Sequence, residues 1–161
     1  MSALVLDGFH WAACAAEAGA FAPLESGGIF LGTIDASGRR LVEHVVGPGP
    51  GARRGRTWLE VDDAWQNRRI AELAHGRPDL AYVGEWHSHP DAVVNRPSVV
   101  DRRALLRLAR FGPLRCPEPI MVILHPDPTR DRWSGAAWML AGSPTFWCRV
   151  PAARRIELVV D

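Results

Sequence analysis

His87-Ser88-His89-Pro90, a seven-residue interval and Ser98-Val99-Val100-Asp101 form the stretch around which this chain is read. In an extended strand, residues two apart project from the same side, so His87 and His89 can converge on one point. A proline-bounded loop over 90–97 follows, and Ser98 with Asp101 reads as the opening of a helix. A carboxylate in that first turn can point back toward the strand end. Two imidazoles and one carboxylate suit Zn²⁺. Three protein ligands leave a fourth position for water, the arrangement of a catalytic zinc site. Each half also has a plainer reading. A His-x-His pair is common without a metal, and Ser-x-x-Asp is equally a capping box.

Working outward, the apolar run before His87 predicts a strand over 80–86 that delivers both histidines at its C-terminal end. After the loop, a helix is predicted over 98–111. Val100, Ala104, Leu105, Leu108 and Phe111 form its inward stripe, and Arg102, Arg103, Arg107 and Arg110 its solvated face. Downstream, Ile120 to Leu124 reads as a central strand, closed by a rigid turn at 125–128. Strands over 133–140, 146–150 and 154–160 complete the chain. Upstream, Asp62 caps a helix running to about His75. A strand over 57–61 precedes it, and residues 47–56, rich in Gly, Pro and Arg, read as a mobile cationic connector. Residues 29–34 and 40–46 form a hairpin around Asp35-Ala36-Ser37-Gly38. A helix spans 9–20, and 3–6 is a short strand or a helix lead-in. Strands interleaved with three helices predict an α/β fold in one domain over 1–161.

Composition narrows the class. With 161 residues, 47% hydrophobic and 23% charged, the chain suits one globular core. No apolar run reaches the ~20 residues of a membrane span, and residues 1–7 lack a secretory pattern. Cys14, Cys116 and Cys148 make neither a CxxC pair nor a disulfide framework, so a reduced, cytoplasmic protein is expected. A net charge of +1 gives no signal for nucleic acid or membrane. All nineteen basic residues are arginine. A GC-rich genome accounts for this; avoidance of lysine modification beside a conjugating system is the functional alternative.

The joint spacing resembles the JAMM (JAB/MPN-plus) zinc metalloproteases, whose pattern is a glutamate, a long gap, His-Ser/Thr-His-Pro, seven residues and Ser-x-x-Asp. The likeness runs from about Glu25 to Leu140, and it implies a second reading of residues 47–56, since an insertion near this region in the family helps hold the ubiquitin-like substrate. It implies a curved mixed β-sheet flanked by helices, with one Zn²⁺ per chain held by His87, His89 and Asp101. It also directs attention to Glu25, since family members carry this glutamate in a Glu-x-Gly-Gly strand start, as in Glu25-Ser26-Gly27-Gly28. Nothing local marks Glu25 as catalytic. The chemistry does need a carboxylate off the metal, to take a proton from water and return it to the leaving amine. The resemblance implies this role for Glu25; Ser98 is expected either to donate to the developing oxyanion or to serve as the helix cap, with one hydroxyl able to do both. Glu85 is a rival acid–base candidate that also suits a supporting role, while His10 and His125 read as structural. The expected function is an isopeptidase that removes a ubiquitin-like protein from its conjugates or processes its C-terminus. E1-like and E2-like proteins are expected in the same bacterial pathway, of which several are antiviral. Two alternatives stay open: an amide hydrolase acting on a sulfur-carrier protein or small peptide, and a non-catalytic MPN scaffold.

Overall fold

The computed structural model describes residues 2–91, 95–111, 116, 118–129, 132–142 and 150–161. Its elements are β1 (Ala3–Leu6), α1 (Gly8–Phe21), β2 (Gly27–Ile34), β3 (Arg40–Val46), β4 (Arg53–Arg54), β5 (Leu59–Glu60), α2 (Asp63–Ala74), β6 (Ala81–Ser88), α3 (Val99–Phe111), β7 (Ile120–Asp127), β8 (Arg132–Leu140) and β9 (Ala153–Val160). Seven strands pair in a ring, in the order β1-β3-β2-β6-β7-β8-β9, while β4 and β5 form a separate hairpin. The first strand closes the ring by pairing in parallel with both β3 and β9. The sheet is therefore mixed, as expected, and curled until its edges meet.

Strand β7 shows why the sheet lies between helices. Ile120, Val122 and Leu124 join a core with Leu4, Leu6, Phe30 and Trp86, completed by Cys14 and Ala18 of α1. The alternate residues Met121 and Ile123 pack with Leu105 of α3 and with Trp138. A strand buried on both faces must be apolar at consecutive positions, which explains the unbroken run from Ile120 to Leu124. Fully burying a side chain such as Leu105 stabilises the fold by roughly 1.5–3 kcal/mol.

Several local readings change. Strand β7 continues through His125 and Pro126 to Asp127, because β8 pairs with it all the way to Asp127↔Arg132. The strand expected over 57–61 is only Leu59–Glu60, paired with Arg53–Arg54. Val100 is 65% exposed rather than inward. Arg102 is partly buried and donates to the Pro151 carbonyl at 3.0 Å, so it does not belong to a solvated face. The strand expected over 146–150 lies almost wholly outside the described residues, as do Cys148 and the side chains of Arg110 and Phe111. Cys14 and Cys116 are free thiols. No helix among the described residues is long and apolar enough to cross a membrane.

Candidate metal centre

The centre is assembled where β2 and β6 run side by side. Their antiparallel register sets Gly27 opposite His87 and Gly28 opposite Trp86. Alternation then sorts the side chains of β6. Trp86 and Ser88 are buried, whereas His87 lines a groove and His89, just past the strand, comes to its ring from the same side. The glycines are required by proximity. A Cβ on Gly27 would lie 2.4 Å from the Trp86 carbonyl oxygen, and one on Gly28 would lie 2.0 Å from that of Val46. The Gly-Gly pair thus lets β2 enter between two neighbours immediately after Glu25.

On the groove side, His87 Nε2 and His89 Nε2 approach to 2.9 Å. Asp101 Oδ1 is 3.5 Å from His87 Nε2, and Asp101 Oδ2 is 3.7 Å from His89 Nε2. One donor atom from each residue can be chosen so that all three lie within 4.8 Å of one another, a group able to hold a metal ion. Two nitrogens and a carboxylate oxygen at such separations match the donor types and reach of a tetrahedral zinc site. Glu25 Oε1 stands 3.9 Å from His89 Nε2, at the rim of this cluster.

Helix α3 brings Asp101 to the cluster through the predicted capping box. The Ser98 N–H donates to Asp101 Oδ2 at 2.6 Å, and the Asp101 N–H donates to the Ser98 hydroxyl oxygen at 3.1 Å. One carboxylate oxygen is spent on the cap while Oδ1 remains directed at His87. Ser98 itself is exposed, and the hydrogen of its hydroxyl is not consumed by the cap.

The electrostatics divide the carboxyls. Burial pushes Glu25 up to about 7; His87 opposes the rise and Asp101 adds to it. Burial would raise Asp101 too, but hydrogen bonding and charge from His87, with the bonds from Ser98, hold it well below the usual carboxylate range. Burial works against a charged His87, yet its bond to Asp101 and the nearby carboxylates raise it. Asp101 is thus held as an anion, while Glu25 can change protonation near neutral pH. Glu85 is also pushed up by burial to about 7, beside Tyr82, whose phenol burial drives well above its ordinary value. Glu85 lines the same groove, a cavity of about 420 Å³ whose walls include Glu25, Trp58, Tyr82, Val100 and Leu108.

The five residues singled out in the sequence, Glu25, His87, His89, Ser98 and Asp101, therefore meet in one place. His10 is elsewhere, beside Asp7 in the first turn of α1. His125 lies along β7, with Nδ1 3.1 Å from the Pro126 carbonyl oxygen. Sequence reasoning missed Ser26 and Ser88. Ser26 N–H donates to Ser88 Oγ at 3.0 Å, and Ser88 N–H donates to the Ser26 carbonyl at 2.8 Å. It also missed Arg54, which sits in the expected connector but is held against Glu17 at 2.9 Å. Each of these contacts joins distant segments, so no local pattern signals them.

Residues 9–140 match the model of the family described as prokaryotic homologs of the JAB domain. The chain is 33% identical over 118 residues to the probable metalloprotease y4qB of Sinorhizobium fredii, covering 72% of this chain and 70% of that protein. It is 36% identical over 108 residues to a CD-NTase/cGAS isopeptidase of Enterobacter hormaechei, covering 65% of this chain but only 57% of the relative. Among solved structures, protein DSY2949 from Desulfitobacterium hafniense superposes with a TM-score of 0.70 at 18% identity, over 98% of this chain and 92% of that one. That last likeness concerns the fold alone.

Proposed function

Because the chain belongs to the family of prokaryotic homologs of the JAB domain, we propose that it is a metal-dependent isopeptidase that releases a ubiquitin-like protein from its conjugates or trims that protein's C-terminus. The observation that carries the reading is the convergence of His87, His89 and Asp101, with Glu25 at the rim as a carboxyl that titrates near neutrality. When bound by His87, His89 and Asp101, Zn²⁺ supplies Lewis acidity and an open position for water. Glu25 takes a proton from the attacking water and hands it to the departing lysine amine, a shuttle suited to a group that titrates near 7. Ser98 directs its unspent O–H toward the carbonyl oxygen as charge builds there. The groove past Trp58 and Val100 accepts the extended end of the carrier.

The name of the Enterobacter relative extends the reading to substrate. The conjugate to be cut is one borne by a CD-NTase, built by E1-like and E2-like proteins of an antiviral pathway in the cytoplasm. Residues 1–161 act as one domain in this scheme. Zinc-loaded protein offered an isopeptide conjugate of a ubiquitin-like carrier, a linear carrier fusion and a sulfur-carrier adduct should cut the first fastest. Asp101→Asn should lose both metal and cleavage. Stoichiometric zinc with no cleavage of any of the three would instead support a binding scaffold.

A further inference from the structure

Behind the groove, the alternation that sends Glu25, His87 and His89 forward sends Ser26 and Ser88 back into the protein, both fully buried. Ser26 is saturated there. Its N–H and carbonyl engage Ser88, as described, and its hydroxyl donates to Glu17 Oε1 of α1 at 2.6 Å. The same hydroxyl accepts from Arg54 Nε at 3.2 Å. Arg54 also pairs with Glu17 at 2.9 Å and stacks 3.6 Å from the ring centroid of Phe21. Its side chain is only 12% exposed. The residue after Arg54 completes the frame, since the Gly55 carbonyl accepts from the Glu25 N–H at 2.8 Å.

We propose that Arg54 and Glu17 are positioning residues: a charge pair that grips the Ser26 side chain, anchors that residue to α1 and the β4–β5 hairpin, and so holds the Ser26 backbone groups that bond Ser88 at a fixed spacing between Glu25 and the histidine pair. The proposal rests on the roles given above to Glu25, His87 and His89. Physically, Ser26 follows Glu25 and Ser88 lies between the two histidines, so the Ser26–Ser88 bonds set the distance between the two functional segments. The bonds to Ser88 use the Ser26 backbone and leave the Ser26 hydroxyl free to rotate. Arg54 and Glu17 remove that freedom, because one is only a donor and the other only an acceptor. The partners come from α1 and the β4–β5 hairpin, neither of which belongs to the ring of strands. The 47–56 segment therefore serves the site through its interior side rather than as a solvated connector.

The test compares Arg54→Ala, Arg54→Lys and Glu17→Gln with the parent protein by amide hydrogen exchange of metal-free samples. Arg54→Ala is expected to speed exchange of the Ser26 and Ser88 amides about tenfold or more, leaving the Ile123 amide in the core unchanged. Arg54→Lys should recover much of that protection, and Glu17→Gln should fall between. Zinc content should stay stoichiometric in all three. Turnover of a linear fusion of a ubiquitin-like carrier should drop in kcat with little change in KM, in the same rank order. Unchanged Ser26 exchange would overturn the proposal. So would faster exchange spread evenly to Ile123, which marks general destabilisation. If the parent protein itself fails to cut the fusion, the isopeptidase reading falls, while the exchange pattern still decides whether the pair positions the two segments.

Discussion

Glu25 sits in surroundings that oppose its own charge, and that has a consequence beyond catalysis. In the unfolded chain its carboxyl ionises near 4.5; in the folded, metal-free protein it does so only near 7. As pH rises through that window the unfolded state releases the proton first, so folding stability falls, and the deficit is complete above about 7. Glu85 acts in the same direction. Replacing Glu25 by Gln should therefore stabilise the metal-stripped protein at pH 8 but not at pH 4. The gain is on the order of 1 kcal/mol, discounted because the carboxylate borders an open groove. Urea unfolding at the two pH values measures this, and an equal gain at both would contradict it. The same variant, loaded with zinc, should lose about 10²–10⁴-fold in hydrolysis while retaining metal, the usual cost of removing a general acid–base group. Unimpaired turnover would mean that another residue, with Glu85 the first to test, handles the proton.

At the scale of elements, the decisive contact is the entry of β2 between β3 and β6. A methyl group at Gly28 would meet the Val46 carbonyl at 2.0 Å, a backbone atom that cannot swing aside. Gly28→Ala should accordingly cost more than the common 0.5–3 kcal/mol of a point substitution, read as a fall in denaturation midpoint. A variant as stable as the parent would show that β2 can shift without loss. Much at this scale was legible beforehand. Strand β3 was expected at its observed bounds, and Asp62 caps α2 by accepting from the Trp65 N–H. Such features rest on short-range periodicity and turn chemistry. The misreadings have a common physical origin. Val100 is apolar at a helical position that faces the groove instead of the core. Arg102 has its partner, Pro151, forty-nine residues away. Ser26 and Ser88, sixty-two apart, meet only because β2 and β6 pair. The candidate ligands His87, His89 and Asp101 were readable because their spacing encodes them; the Ser26–Ser88 contact was not, because its spacing does not.

For the whole molecule, the candidate metal centre joins α3 to the sheet at a second place, beside the core contact made by Leu105. His87 and His89 belong to the β6 end of the sheet, and Asp101 to α3 on its outer side. An ion bound by all three ties helix to sheet, so chelation should lower the melting temperature. Re-addition of zinc should restore it, adding about 2.7 kcal/mol of stability at a free concentration one hundred times Kd. Calorimetry with and without chelator checks this, and Asp101→Asn should show a much smaller response.

The closure of the sheet by its first strand has a different consequence. Each strand of the ring has a neighbour on both sides, although β1 meets β3 only at Leu4 and Val5, and β9 pairs with β8 over Ala153–Ile156 and with β1 over Glu157–Val160. Among the described residues, the β4–β5 hairpin beside the groove is a small sheet outside this ring. Closure thus shortens the strand edges open to self-association. This protection depends on β1 reaching both β3 and β9. Damage to that short strand would lengthen two free edges at once and favour aggregation through them.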